Sequence, residues 1–451
     1  MRDRFAWPVV AAPAPLKLPT IERSVLENGM RLWTMTHSAL PVVALSLLIE
    51  TGSVDDPTNL PGLCSMAVDM LDEGAAGRDS IQLATALADM GASLDLHAGP
   101  DAVSAQVWTV RQHLDGAVLV LADVLSRPHL NDHDLTRVRE LRLSRLQQLR
   151  RSAASAADRA FSAAVFGDHG YGHSSLGTTD SVSRVTIDDV RTHHVQQLQR
   201  GRVTVLASGD VTHTALAGLV QRAFAQWPVL SPGVVTEKSS NIPDAQARVL
   251  FVVRDGAPQS EVRIGHRSVA RNTPDYHAMT LLNAGLGGSF SGRLNQRLRQ
   301  QLGYTYGARS SFDLDRRAGS FSCDSSVQGD KTAESVREMH ALIDGVRGER
   351  PLSDDELAQA RGSLTSGYAR GFETPRQLVG ALAQLAVYDL PDDVFSTFVP
   401  NMQAVSPGDV ATVAERHLDP DHLTTVVVGD SQWRDSLDTL GIPVEVVAPE
   451  F

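Results

Sequence analysis

Apolar residues recur along this chain in two rhythms, and the switches between them mark its elements. Pro41 to Glu50 is a nearly unbroken apolar run of strand length, and Ser93 to His97 and Val103 to Val110 alternate with a period of two. Ser80 to Met90 and His113 to Leu125 instead carry the longer period of helices. Strands joined by short connections and followed by runs of helix predict an α+β fold, a mainly antiparallel sheet covered by helices.

The pattern occurs twice. Arg127-Pro128-His129-Leu130-Asn131-Asp132 resembles Arg350-Pro351-Leu352-Ser353-Asp354-Asp355, each a turn leading into a long helix that continues to Arg139 and Arg361. Val185-Thr186-Ile187-Asp188-Asp189-Val190 resembles Val405-Ser406-Pro407-Gly408-Asp409-Val410, with Thr186 and Ser406 as N-cap candidates and an acid three residues on. Val203 to Asp210 resembles Thr424 to Asp430, an apolar strand ending in Gly-Asp. The three matches keep their order and a nearly constant offset of 220 to 223 residues. Two homologous domains follow, 1–230 and 245–451, joined by a segment from Pro228 to Asp244 rich in Pro, Ser and Gly.

Composition narrows the class. A chain of 451 residues with 42% hydrophobic and 21% charged residues has the balance of a globular protein of two or three domains. Aromatics reach 5%, so the cores are expected to rest on Leu, Val and Ala. A net charge of −12 argues against nucleic acid as a partner. The basic run Arg137, Arg139, Arg142, Arg145, Arg150 and Arg151 reads as a solvated or subunit-facing helix face. Cys64 and Cys323 are too few for a disulfide framework and read as buried thiols. No stretch reaches the ~18 apolar residues of a membrane span. Met1 to Ala12, broken by Pro8, is a poor signal peptide. The cytoplasm is the expected compartment, or the periplasm if a signal lies outside this sequence.

Several segments together resemble one family. They are Leu26-Glu27-Asn28-Gly29-Met30-Arg31-Leu32, Ile49-Glu50-Thr51-Gly52-Ser53, Gly62 to Leu71, Phe166-Gly167-Asp168-His169-Gly170-Tyr171-Gly172, Leu286 to Leu294, and Arg299-Gln300-Gln301-Leu302-Gly303-Tyr304-Thr305-Tyr306. In order and spacing the chain, from about Glu22 to Asp430, is similar to the pitrilysin/insulysin-type metallopeptidases, which include the mitochondrial processing peptidase. That family binds zinc through an inverted H-x-x-E-H motif on one helix and a Glu from a later long helix. Here Ser65 and Asp69 stand at the two His positions and Val68 at the Glu position. The later ligand position falls near Arg145 or Leu146, on a helix whose acid is Glu140. All three ligands and the base are therefore missing. The pairs His169 with His173 and His193 with His194 lack a spaced third ligand and read as structural.

The resemblance implies that the second half keeps an Arg/Tyr pair, seven residues apart, which reaches a bound peptide. Arg would bond a substrate carbonyl and Tyr would stabilise the developing oxyanion. Two frames fit, Arg299 with Tyr306 and Arg297 with Tyr304, and Gly303 four residues after Arg299 favours the first. The family also accepts an extended peptide at a sheet edge, for which Val103 to Thr109 is the candidate here. The expected function is a zinc-less, substrate-binding subunit of a heterodimeric metallopeptidase. It would need no cofactor of its own, the zinc residing on a homologous partner subunit. The alternative is a structural assembly protein of the same fold.

Overall fold

The computed structural model describes residues 15–228 and 247–448, together with Phe451. The proposed linker and the poor signal-peptide segment fall almost wholly outside these residues. The first half contains β1 (Ile21–Val25), β2 (Arg31–Thr36), β3 (Val42–Ile49), a short β4 (Gly74–Ala75) and β5 (Arg78–Asp79) ladder, β6 (Ser93–Ala98), β7 (Val103–Val110) and β8 (Val203–Gly209). Six of them form one sheet in the order β1-β2-β8-β3-β7-β6, antiparallel except between β2 and β8. The second half contains β9 (Arg248–Val253), β10 (Gln259–Ser268), β11 (Thr305–Leu314), β12 (Gly319–Gln328), β13 (Thr424–Gly429) and β14 (Val444–Val446). They form a second sheet, β11-β12-β10-β13-β9-β14. Its last two pairings, β13–β9 and β9–β14, are parallel and the others antiparallel.

Why β3 is apolar except for Ser46 becomes clear from its surroundings. Val43, Leu45, Leu47 and Ile49 point into the first half's own core, with helix Leu114–Ser126 and helix His213–Ala223. Ala44 and Leu48 point the other way, onto helix Pro375–Tyr388 of the second half. The second sheet repeats the arrangement. Val249, Phe251 and Val427 face its own helices, whereas Leu250, Val252, Val426 and Val428 meet helix Ala153–Phe166 of the first half. Each half thus lends one helix to cover the other's sheet. A fully buried Leu stabilises by about 1.5–3 kcal/mol, so Leu378, Leu382 and Leu385 bind the halves firmly.

The internal repeat is visible in the caps. Thr186 and Ser406 both accept from the N–H three residues on, and Asp189 and Asp409 both return a bond to the cap. Both cysteines are free and buried. Among the described residues, no helix is long and apolar enough to cross a membrane.

One strand assignment needs correction. Val103 to Thr109 is not a sheet edge, because β7 lies between β3 and β6. The edge strands are β1 and β6 in the first sheet and β11 and β14 in the second.

Candidate functional site

The helix Leu63–Asp69 begins at Gly62, whose φ of +91° suits glycine. The Asp56 carboxylate accepts the N–H groups of Gly62 and Cys64, each at 2.7 Å, and so caps the helix from a buried position. Burial pushes this carboxyl up to about 7, against the lowering effect of those two bonds. Val68 packs into the core, while Ser65 and Asp69 face the long helix Asp132–Arg150.

The long helix answers them with Arg142. Its side chain is 3% exposed, and it donates to Ser65 Oγ at 2.6 Å and to an Asp69 carboxylate oxygen. The Ser65 hydroxyl in turn donates to the Ser175 carbonyl. A guanidinium with five fixed donors therefore occupies the space between Ser65 and Asp69, the two positions expected to match the family's histidines. A zinc ion there would meet a hydroxyl already committed on both sides, a carboxylate already paired, and a permanent positive charge. The residues present do not fit the metal, and among the described residues no group of three His, Cys, Asp or Glu side chains could hold one.

Two expectations for this helix change. The residue turned into the site is Arg142, rather than Arg145 or Leu146: Leu146 is buried in an apolar cluster, and Arg145 lies at the exposed rim. Nor is the basic run a solvated face throughout. Arg137 pairs with Glu73, and Arg139 donates to the carbonyls of Val182 and Val185. The signal for Arg142 was available in the sequence, since Leu135, Val138, Arg142 and Leu146 are spaced as one buried helical stripe. Outside the Arg142–Asp69 pair lies a depression of about 360 Å³, bordered by Asp72, Glu73 and the edge strand residues Leu94, Asp95 and Leu96.

The Arg/Tyr segment lies at the far end of the second sheet's edge. A π-helical stretch, Asn295–Gln301, ends with Gly303 at φ +68° and passes directly into β11. The ladder with β12 slips between Thr305 and Ala308. Such a bulge re-aims side chains, and Tyr306 emerges from it 90% exposed. Arg299 lies over the ring of Phe290, 4.5 Å from its centroid, and Phe290 is itself 66% exposed. Neither the Arg299 nor the Tyr306 side chain makes a hydrogen bond or ion pair among the described residues.

The other frame is differently placed. Arg297 grips Glu338 through Nε at 2.7 Å and Nη2 at 2.9 Å, and this bond holds the Glu338 carboxyl below its ordinary value. Tyr304 packs against the second core, its ring 6.0 Å from the Lys331 ammonium. The Gly-rich segment around Leu286 starts as a π-helical turn, Ala284–Gly288, before the chain loops into Asn295. His193 and His194 are both buried. His194 Nε2 meets the Leu125 carbonyl at 2.8 Å, and burial drives His193 down to about 4.

Comparison with known proteins agrees with this architecture. Residues 34–179 match the family described as Insulinase (Peptidase family M16), and residues 184–364 match the Peptidase M16 inactive domain. A zinc protease of Mycobacterium tuberculosis is 26% identical over 364 residues, covering 80% of this chain and 82% of that protein. The mitochondrial-processing peptidase subunit beta of Rattus norvegicus is 21% identical over 304 residues, 65% of this chain and 60% of the rat protein. Among solved structures, a peptidase M16 inactive domain from Pseudomonas fluorescens superposes with a TM-score of 0.84 at 22% identity, covering 91% of this chain and 98% of the other. A protease from Helicobacter pylori gives 0.83 at 18% identity, covering 91% and 100%. At these identities the two structures speak for the fold.

Proposed function

The chain belongs to the M16 family of insulinase-like peptidases, and within it we propose that it is the zinc-less, substrate-binding subunit of a heterodimeric metallopeptidase. One observation carries the reading: Arg142 lies between Ser65 and Asp69, whereas Tyr306 is exposed and the half-buried Arg299, stacked on Phe290, has no side-chain hydrogen bond or ion pair among the described residues. A purely structural residue of this size would be expected to pack, as Tyr304 does.

In this reading, a zinc-bearing homologous subunit supplies the hydrolytic metal, and this chain supplies the peptide's other contacts. Arg299 offers fixed charged donors to a peptide carbonyl. The Tyr306 hydroxyl donates to the oxygen on which charge develops during attack. The open edges β6 and β11 offer unpaired backbone groups to an extended peptide, which gives affinity with little demand on sequence. The rat relative is, by its name, one subunit of a peptidase.

The test is peptide hydrolysis by this chain alone, by a zinc-motif homologue alone, and by their mixture. Activity that needs the mixture and falls with Tyr306→Phe supports the reading. Stoichiometric zinc and peptidase activity in this chain alone would refute it. A mixture indifferent to Tyr306→Phe would leave the structural assembly protein as the better account.

A further inference from the structure

Two of the edge strands, β6 and β11, belong to hairpins that meet tip to tip. β6 and β7 are joined by a turn at Gly99 to Ala102, and β11 and β12 by a turn at Asp315 to Ala318. The Arg316 N–H donates to Asp101 Oδ2 at 3.0 Å, and the Arg317 N–H to the Tyr171 hydroxyl oxygen at 3.2 Å. That hydroxyl donates to Asp101 Oδ1 at 2.6 Å, so one carboxylate and one phenol hold two successive backbone amides. Asp101 and Tyr171 are both buried. The side chains brace the joint further, with Arg316 on Glu50 at 3.2 Å and Arg317 on Asp55 at 2.9 Å. Glu50, whose side chain is 2% exposed, also pairs with Arg31 and Arg202.

Helix exchange already keeps the halves together, so this cluster is not needed for association. What it fixes is angle. Bonds to backbone amides orient a turn whatever its side chains are. We infer that Asp101 and Tyr171 are positioning residues that set the gap between the edges of β6 and β11, and with it the place of Tyr306. The inference rests on Tyr306 facing substrate. Tyr306 lies nine residues from Asp315 along an extended strand, roughly 30 Å at ~3.3 Å per residue. A rotation of about 10° at the joint would therefore carry it through roughly 5 Å, whereas a productive site tolerates about 0.5 Å.

The test reads the gap directly in the full-length chain. Spin labels are placed at His97→Cys on β6 and Arg309→Cys on β11, both exposed. Native Cys64 and Cys323, each 0% exposed, stay unlabelled. Pulsed dipolar spectroscopy should give one narrow distance for the parent chain. Asp101→Ala and Tyr171→Phe should each broaden it or move its maximum by about 3.5 Å, the same rotation over the six residues from Asp315 to Arg309, with helical content by circular dichroism retained. If Asp101→Ala does not fold, Tyr171→Phe, which removes one oxygen, carries the test. An unchanged distribution overturns the inference. With the zinc-bearing homologue added, Tyr171→Phe should lower kcat with KM little changed. Should the parent mixture cleave nothing, the reading of Tyr306 falls, and the distance measurement still decides whether the joint sets the gap.

Discussion

Arg139 and Arg361 occupy the same place in the two halves and make the same two bonds. Arg139 donates from Nε to the Val182 carbonyl at 3.3 Å and from Nη2 to the Val185 carbonyl at 2.6 Å. Arg361 donates from Nε to the Met402 carbonyl at 3.1 Å and from Nη2 to the Val405 carbonyl at 2.9 Å. In each case a long helix is tied to the segment that ends just before the Thr186 or Ser406 cap. The repeat seen in three short sequence matches therefore extends to individual side-chain bonds.

Arg139→Ala and Arg361→Ala should cost similar stability, about 2–4 kcal/mol each for two charge-assisted bonds to carbonyls. Because the two sites share no partner, the double variant should show the sum to within about 0.5 kcal/mol. Denaturant unfolding checks both statements. A neutral effect at one site and a large one at the other would show that the equivalence is only geometric.

Tyr306→Phe should lower hydrolysis by the mixed enzyme on the order of 10²–10³-fold and leave the melting temperature alone, since the ring is exposed. Arg297→Ala should do the reverse in kind. It removes a surface pair with Glu338 that solvent largely screens, and should leave turnover near that of the parent. Equal loss of activity in both variants would mean that the frame has been misassigned.

Rebuilding the inverted motif by Ser65→His, Val68→Glu and Asp69→His should not create a zinc site, because the Arg142 guanidinium stays between the new ligands. Adding Arg142→Glu, at the position that faces both residues, should yield measurable zinc binding by calorimetry. Tight zinc binding by the three-fold variant alone would show that Arg142 is easily displaced.

Asp56 and His193 should pull stability in opposite directions with pH. The Asp56 carboxyl, raised to about 7 by burial, contributes stability that is fully present below its ordinary value of 3.8 and is lost as pH rises through 7. His193, lowered to about 4 by burial, contributes stability that is present above 6.5 and is lost as pH falls through 4. Asp56→Asn removes the first slope, at most about 1.4 kcal/mol per pH unit. Its disadvantage against the parent should therefore shrink between pH 4 and 7. A constant difference across that range, measured by urea unfolding, would refute the assignment.

Much of this was legible in the chain. Strands at Val42–Ile49 and Val103–Val110 and helices at Ser80–Asp89 and Leu114–Ser126 lie where periodicity puts them, because each has a strong and uninterrupted pattern. Cap residues identified the repeat, since capping chemistry is local. Edge status was not legible, because it depends on which strands pair rather than on what they contain. β6 and β7 alternate almost equally well. Arg142 was hidden by its neighbours: in a run of six arginines nothing but spacing separates the buried one. The joint at Asp101 could not be read at all, as its members come from four loops distant in sequence.

The exchanged helices carry a consequence for how such a chain can be dismantled. Neither half is a self-sufficient body, since each sheet has one apolar face that only the opposite half can shield. Cut between residues 228 and 247, the pieces would be sticky alone and complementary together, each recognising the other by the helix it is missing. A molecule built this way resembles a handshake between two copies that has been made permanent by a tether. The symmetry of the grip leaves the rest of either copy free to differ, and here the first copy holds Arg142 between Ser65 and Asp69.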